Sequence, residues 1–183
     1  MVKGFFDDLK AAKKGESIVL NVLKSITTDY EFDDVSNDKT YWHIGDISVY
    51  DNAWDCHYYI DVKDDSCISY TGNILAEHRV WYKDSGWEKG FMQTACYDYV
   101  AYLSQADKKI YILDFPLWKK HYQNVFKKHK YIPHGGEQTT DAYLMSLSKA
   151  KELGIVLYEI DYDFDGKKYY GVNISEPTKQ LVS

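Results

Sequence analysis

Three residues of this sequence could bind a metal ion and act on a bound substrate. They are Asp46 and, further along the chain, Asp61 with Lys63 two positions after it. Residues 41–50 and 57–63 are rich in aromatic and branched side chains and predict a pair of strands. Asp46 would then lie inside the first strand, and Asp61 and Lys63 would project from one face of the second. Two neighbouring carboxylates repel each other, so they need a shared proton or a divalent cation between them. Mg2+, which prefers oxygen ligands, fits such a place best.

The spacing of these residues resembles a known signature. Gly45-Asp46, a gap, and then Asp61-Val62-Lys63 resemble the motif of the PD-(D/E)XK nuclease superfamily, an acid followed by acid-x-lysine. Gly45 stands where the signature has proline, at the position where the superfamily varies most. Such a short motif occurs by chance in many chains, so features on either side of it matter.

Three flanking segments extend the resemblance. Gly15-Glu16 opens the apolar stretch SIVLNVLKSI, which resembles the superfamily's first core helix with its glutamate. Gln93 and Tyr97 match the Q-x-x-x-Y motif of the RecB-like branch. The segment TGNILAE, which ends at Glu77, resembles a T-G-N-x-x-x-E segment of some phage-type members.

The resemblance implies a fold and an activity. The fold would be α/β, a restriction-endonuclease-like core whose central mixed β-sheet is flanked by helices, here with a C-terminal β-hairpin. The activity would be that of a Mg2+-dependent deoxyribonuclease, with Mn2+ as an alternative metal, which leaves a 5′-phosphate and a 3′-hydroxyl. DNA is the implied partner, and its form, its sequence and the choice between endonuclease and exonuclease stay open.

The resemblance also implies roles for individual residues. Asp46, Asp61 and the backbone carbonyl of Val62 would hold the metal, and Lys63 would orient the attacking water or help to deprotonate it. The remaining implied residues either complete the metal site or touch the substrate backbone; they are Glu16, Glu77, Gln93 and Tyr97. Each of these four has an ordinary structural explanation as well. A glutamate in the first turn of a helix, such as Glu16, interacts favourably with the helix dipole. Glu77 is what an exposed strand edge would carry, Gln93 could lie at the surface, and Tyr97 could pack on the sheet.

Composition limits the class of protein. The 183 residues, 45% hydrophobic and 16% aromatic with three prolines, exclude a disordered chain and predict a single domain over 1–183. A net charge of −6 argues against indiscriminate nucleic-acid binding, but it does not exclude a nuclease whose metal site is built from acids. Three cysteines without metal-ligand spacing fit a reducing cytoplasm, and no apolar run is long enough to span a membrane.

Periodicity predicts the order of elements. A short helix over 5–14 is interrupted near Gly15, after which residues 16–26 form a second helix. An acidic loop or edge strand follows, then the central strand pair, a short strand over 67–70 and a strand over 74–82. The later elements are a helix over 91–104, an interior strand over 109–115, a helix from Thr139 or Thr140 to Leu153, and a hairpin of two strands around Asp165-Gly166.

A cluster of lysines stands out in this acidic chain. The segment from Leu117 to Lys130 is predicted to be helical and has no acid, and its lysines are candidates for contacts with phosphates: Lys119, Lys120, Lys127, Lys128 and Lys130. A solvated helix face explains such a run equally well.

Two rival functions stay open. The first is a catalytically inert factor on the same fold, anti-defence or regulatory, that binds nucleic acid or protein. The second is a tyrosine-rich interaction domain whose D-x-K is a surface feature. Stabilisation by a divalent metal distinguishes the nuclease from the second rival. Oligomeric state is not specified by the sequence.

Overall fold

The computed structural model describes residues 5–41, 43–125, 129–134 and 138–176. Its helices are α1 (Phe5–Ile26), α2 (Ile68–Thr71), α3 (Phe91–Thr94), α4 (Phe115–Val125) and α5 (Leu147–Glu152). Its strands are β1 (Tyr30–Asp34), β2 (Ile47–Asp51), β3 (Cys56–Asp64), β4 (Asn73–Tyr82), β5 (Gly86–Lys89), β6 (Tyr99–Ser104), β7 (Lys109–Asp114), β8 (His129–His134), β9 (Gln138–Ser146), β10 (Val156–Phe164) and β11 (Tyr169–Ser175). Within these ranges no helix combines the length and apolar character needed to cross a membrane.

A large mixed sheet forms the centre of the molecule. Its strand order is β1-β2-β3-β6-β7-β10-β11, and the sheet is curled. Neighbours run antiparallel except β3 and β6, which are parallel and are therefore joined by a crossover that contains β4 and β5. The expected α/β class, with a mixed sheet flanked by helices, is confirmed, as is the C-terminal hairpin of β10 and β11.

Each face of this sheet has its own apolar core. Helix α1 presents Ile18, Val19 and Val22 to one face, where they pack on side chains such as Leu103 of β6. Helix α4 packs on the other face with Trp118, which is fully buried. Alternation along the strands supplies both cores, because successive side chains point to opposite faces.

A second sheet covers the face that α1 leaves open. Its order is β5-β4-β9-β8, and all its neighbours are antiparallel. Ile74 and Ala76 of β4 and Met145 of β9 point from it into the core that contains Trp118. The sequence predicts β4 as a strand, but it does not predict the sheet to which β4 belongs.

Two helix predictions at the ends of elements are wrong. Helix α1 is continuous from Phe5 to Ile26 and passes through Gly15 without a break. Gly15 lies close to β3, where a Cβ would meet the Asp64 side chain at 3.2 Å. The predicted helix from Thr139 or Thr140 is a strand in that part, since both threonines lie in β9. The helix begins only after Ser146, whose hydroxyl accepts the N–H of Lys149.

Two further predictions fail in the crossover between β3 and β6. The predicted strand over 67–70 is the single helical turn α2, which ends at Gly72 with φ of 61°. The predicted helix over 91–104 is only the turn α3, and strand β6 occupies 99–104. Strand β6 is buried on both faces, and such a continuous apolar run fits a helix and an interior strand equally well.

Candidate functional site

Strands β2 and β3 pair as predicted and bring Asp46 close to Asp61. The antiparallel register between the strands ends at the pair of Ile47 and Ile60, which are the sequence neighbours of Asp46 and Asp61. Asp46 lies directly before β2 and not inside it, but its N–H still donates to the Ile60 carbonyl at 2.9 Å. Ile60 and Val62 pack toward α1, so Asp61 points to the opposite face.

Asp46 is a half-buried carboxylate held by a backbone donor. Its Oδ2 accepts the N–H of Val62 at 2.8 Å, which fixes the side chain against β3. Burial, followed by the negative charge of Asp61, raises the pKa of Asp46 to about 6, although the Val62 hydrogen bond acts in the opposite direction. Asp46 therefore changes its charge near neutral pH.

Lys63 provides the positive charge of the group. Its Nζ lies 2.8 Å from Asp61 Oδ2 and 4.8 Å from the centre of the Phe91 ring. Burial alone lowers the pKa of Lys63, but the charges of Asp61, Asp46 and Glu77 raise it above its ordinary value. The ammonium is therefore protonated at neutral pH.

The hydroxyl of Tyr97 is a second buried polar group, and it lies beside the ion pair of Asp61 and Lys63. Tyr97 is 4% exposed, and among the described residues its hydroxyl has no hydrogen-bond partner. Burial, then the charges of Asp61, Asp46 and Glu77, raise its pKa well above the ordinary value, so the phenol keeps its proton beside the acids. Asp61 Oδ2 is paired with the Lys63 ammonium at 2.8 Å, and the charge of Asp61 also acts on the Tyr97 hydroxyl. Tyr97 is thus a buried donor beside the pair of Asp61 and Lys63.

The two residues of the Q-x-x-x-Y motif are separated by the fold. Because α3 ends at Thr94, Gln93 and Tyr97 do not share a helix face, and that part of the prediction is wrong. Gln93 is exposed and donates to the carbonyl of His78, while Tyr97 is buried against Phe115 with ring centres 4.2 Å apart. The structure thus brings Tyr97 to the acids and leaves Gln93 at His78.

Both glutamates approach the group, from different sides. Glu16 lies on α1, on the other side of the sheet, and its carboxylate pairs with Lys13 at 3.0 Å. Its charge contributes to the raised pKa of Asp46, after burial and Asp61. Glu77 lies on β4 of the second sheet, where Oε1 accepts the N–H of Phe91 at 3.4 Å, and its charge reaches Lys63.

The lysine cluster is divided between elements. Lys119 and Lys120 lie on α4 as predicted, but Lys130 lies on strand β8, so the helix is shorter than predicted. Lys119 donates to the carbonyl of Ala95 at 3.1 Å and thereby ties α4 to the loop that leads to Tyr97. Lys120 is exposed. Lys127 and Lys128 lie outside the described residues.

The donor types in this group suit Mg2+, but the acids do not form a complete cage. Among the described residues, no group of three or more histidine, cysteine, aspartate or glutamate side chains is arranged to hold a metal ion. Mg2+ is commonly bound by one or two carboxylates, with waters and substrate phosphates as its other ligands. The carboxylates of Asp46 and Asp61 are two neighbouring acids of the kind that this smaller requirement needs, although Lys63 pairs with one of them.

Phe91 is the residue at this site that the sequence does not single out. Its ring contacts the Lys63 ammonium and packs 6.0 Å from Trp118, so it forms a wall between the charged group and the core. Only its position two residues before Gln93 could have drawn attention to it. Comparison of the chain with protein-family models, curated proteins and solved structures gave no match.

Proposed function

We propose that the chain is a metal-dependent deoxyribonuclease whose site is the cluster of Asp46, Asp61 and Lys63. The proposal rests on one observation: the Asp46 carboxylate accepts the N–H of Val62, which lies between Asp61 and Lys63, and the Lys63 ammonium lies 2.8 Å from Asp61 Oδ2. This combination, in the order of the PD-(D/E)XK signature, is what hydrolysis of a phosphodiester needs: anionic oxygens for a cation and a fixed positive charge for the phosphate.

The central mixed sheet also supports the finer fold assignment to a restriction-endonuclease-like core. A long first helix carries Glu16, the next strand pair carries the acid and the acid-x-lysine, and these elements follow one another in the order that the resemblance implies. Helices flank the sheet on both faces.

Asp46, Asp61 and the carbonyl of Val62 would hold Mg2+ or Mn2+. A bound divalent cation polarises the phosphate and makes its bound water more acidic. Lys63 is charged at neutral pH, so its role is to offset negative charge on the phosphate and not to accept a proton from the water. Water attacks the phosphorus and releases a proton to solvent, the bond to the 3′-oxygen breaks, and that oxygen takes up a proton from solvent, so the products are a 5′-phosphate and a 3′-hydroxyl.

Tyr97 is suited to a supporting role in this reaction. Its hydroxyl is buried, protonated and without a partner among the described residues, so it can donate to a phosphate oxygen or to water beside Asp61. Lys120 is exposed on α4, the helix that Lys119 ties to the loop before Tyr97, and it supplies a charge for the DNA backbone.

One observation favours the rival function, a catalytically inert binding factor on the same fold. Lys63 pairs directly with Asp61, and the described acids form no three-membered metal group. In this alternative the ion pair neutralises the site, and the protein binds nucleic acid or another protein without cutting.

Cleavage assays with matched variants distinguish the two functions. Wild type should cut at least one of linear, nicked, branched or single-stranded DNA with Mg2+ or Mn2+ and should be inactive with EDTA. Asp61→Asn keeps the shape of the side chain but loses the charge that holds the cation, so cleavage should fall by a factor of about 100 or more. Lys63→Ala should keep metal binding, measured by calorimetry, and slow cleavage by about 100-fold. Calcium should bind but support little turnover, because its coordination is looser.

Asp64→Asn is the control for these variants. Asp64 lies on the same strand but is exposed and lies against Gly15 of α1, so its replacement should leave cleavage unchanged. A wild type that cuts no substrate with either metal, or an Asp61→Asn variant as active as wild type, would assign the protein to the inert binding factor.

A further inference from the structure

A cavity of about 500 Å³ lies on the face of the large sheet that α1 covers only in part. Leu23 and Ile26, near the end of α1, form one side, and Val49, Ile60 and Ile112 form part of its floor. Neighbours on β3 point to opposite faces, so Ile60 faces this cavity while Asp61 and Lys63 face away from it. The cavity is therefore separate from the acid cluster, and what it binds does not depend on the proposed nuclease activity.

The walls of the cavity are apolar and aromatic. Six aromatic side chains line it: Tyr30, Phe32, Trp54, Tyr58, Tyr99 and Tyr158. Of the described lining residues, Asp51 alone carries a charge. Its Oδ1 accepts the N–H groups of Ala53 at 2.9 Å and Trp54 at 3.1 Å, so the carboxylate is engaged in its own turn. Because the lining offers no available charge, the cavity suits an uncharged ligand.

Large apolar side chains at the rim of the cavity are exposed to solvent. Trp54 is 79% exposed, and Tyr30, Tyr158 and Ile174 are each exposed by 40% or more. Exposed apolar groups concentrated around one concavity mark a binding site more often than scattered ones do. Rings offer a stacking surface, and tyrosine hydroxyls offer hydrogen bonds at the edge of a flat ligand.

We propose that this cavity binds an uncharged, planar aromatic small molecule. The volume lies within the range of small-molecule pockets, roughly 300–1,000 Å³. The ligand inserts its rings between the aromatic walls and covers the side chains of Trp54 and Tyr158. A small molecule, and not a second copy of the chain, fits the recessed floor formed by Ile60 and Ile112.

The uncharged dye N-phenyl-1-naphthylamine, which carries a naphthalene and a phenyl ring, tests this proposal, because its fluorescence rises in apolar surroundings. Titration of the full chain should give saturable one-site binding with a dissociation constant below about 100 µM. Leu157→Trp places a bulky indole ring at the cavity wall and should weaken binding at least tenfold. Trp54→Ala removes an aromatic side chain from the lining and should weaken binding several-fold. Trp87→Ala removes an exposed indole ring from the second sheet and should leave binding unchanged.

Isoleucine methyl spectra locate the dye independently of the variants. Addition of the dye should shift the signals of Ile60 and Ile112, which line the cavity, and not those of Ile68 and Ile155, which belong to the other core. Thermal melts establish that each variant is folded. Absence of saturable binding, equal binding by a folded Leu157→Trp variant, or shifts confined to Ile68 and Ile155 would overturn the proposal. Sedimentation showing a dimer that must dissociate before the dye binds would assign the cavity to a second copy of the chain.

Discussion

Gly45 occupies the position of the signature's proline with a backbone that proline cannot adopt. Its φ is 146°, whereas the proline ring fixes φ near −65°. A Cβ at this position would lie 2.9 Å from the Ile60 carbonyl oxygen, and the Gly45 N–H donates to the Tyr41 carbonyl at 3.0 Å. This glycine therefore lets the chain approach β3 closely enough for Asp46 to reach the N–H of Val62.

Restoring the signature's proline should damage the site. Gly45→Ala should lower the free energy of unfolding by ~1–3 kcal/mol, from the strained φ and the close contact. Gly45→Pro should cost more, because it also loses the hydrogen bond to Tyr41. Chemical denaturation measures both values. Gly72→Ala is the control: its φ is also positive, but a Cβ there meets nothing within 4 Å, so its cost should be smaller. A Gly45→Pro variant as stable as wild type would contradict the prediction.

The raised pKa of Asp46 predicts a dependence of stability on pH. In EDTA, the folded protein holds the Asp46 proton up to about pH 6, whereas the unfolded chain loses it near 3.8. Stability is therefore fully present below about pH 4 and is lost as the pH rises through about 6. Asp46→Asn keeps an acceptor for the N–H of Val62 but has no charge. Its free energy of unfolding should therefore exceed that of wild type by ~1–3 kcal/mol at pH 8 and match it at pH 4.

Denaturation curves at pH 4 to 8 measure this difference. Asp163→Asn is the contrasting variant: Lys108 lowers the pKa of Asp163, so the folded state favours its charged form and this variant should show no gain at pH 8. A difference between Asp46→Asn and wild type that does not change with pH would show that folding does not raise the pKa of Asp46.

The residue types at the site could be predicted from the sequence, but their pairing could not. Spacing predicted that Asp46 and Asp61 lie near each other, since a strand pair fixes which segments meet, and the Asp46 carboxylate does reach the N–H of Val62, next to Asp61. It did not predict that Lys63 pairs with Asp61 rather than standing free. It also did not predict that Tyr97 reaches the acids from a loop, because that contact depends on how β6 enters the sheet.

Among the elements, α4 contains two lysines with different surroundings. Lys120 is exposed, whereas Lys119 is partly buried and donates to the Ala95 carbonyl. If α4 contacts DNA phosphates, Lys120→Gln should reduce the slope of log binding constant against log salt by about 0.9 without changing thermal stability. Lys119→Gln should lower thermal stability, because it removes a contact between α4 and the loop before Tyr97.

Fluorescence anisotropy with labelled DNA at several salt concentrations measures the slope, and thermal melts measure the stability. An unchanged slope for Lys120→Gln would assign the exposed side of α4 to a solvated face. Lys10, exposed on α1, gives a matched lysine-to-glutamine control on the other side of the large sheet.

Elements with alternation and clear turn residues were predicted correctly, and so was the buried strand β7, whereas β6 and β9 were not. The hairpin of β10 and β11 follows from its alternating side chains and the Asp165-Gly166 turn. Strand β6 is buried on both faces, so its apolar run has no period that distinguishes it from a helix. Strand β9 owes its position to long-range pairing with β4, which no local pattern near Thr139 could reveal.

At the scale of the whole molecule, two cores share one sheet. Leu103 points to the core under α1, and Trp118 belongs to the core under the second sheet. Because both cores stabilise the same strands, the protein should unfold as a single domain in one transition. A mutation in either core should therefore lower the stability measured in that transition. Leu103→Ala should cost ~2–5 kcal/mol and Trp118→Ala ~3–5 kcal/mol, each by lowering that one transition. Calorimetry that resolves two transitions in either variant would contradict the predicted single domain.

The second sheet joins segments that are distant along the chain. Glu77 of β4 pairs with Ala142 of β9, 65 residues further on, and two of the four strands between them, β6 and β7, belong to the other sheet. Closing so long a loop costs chain entropy before any contact compensates it, so this pairing forms slowly. The pairing of β2 with β3, which spans a short turn, forms early. We therefore expect Asp46, Asp61 and Lys63 to assemble early in folding, before the pairing of β4 with β9 completes the second sheet around Glu77.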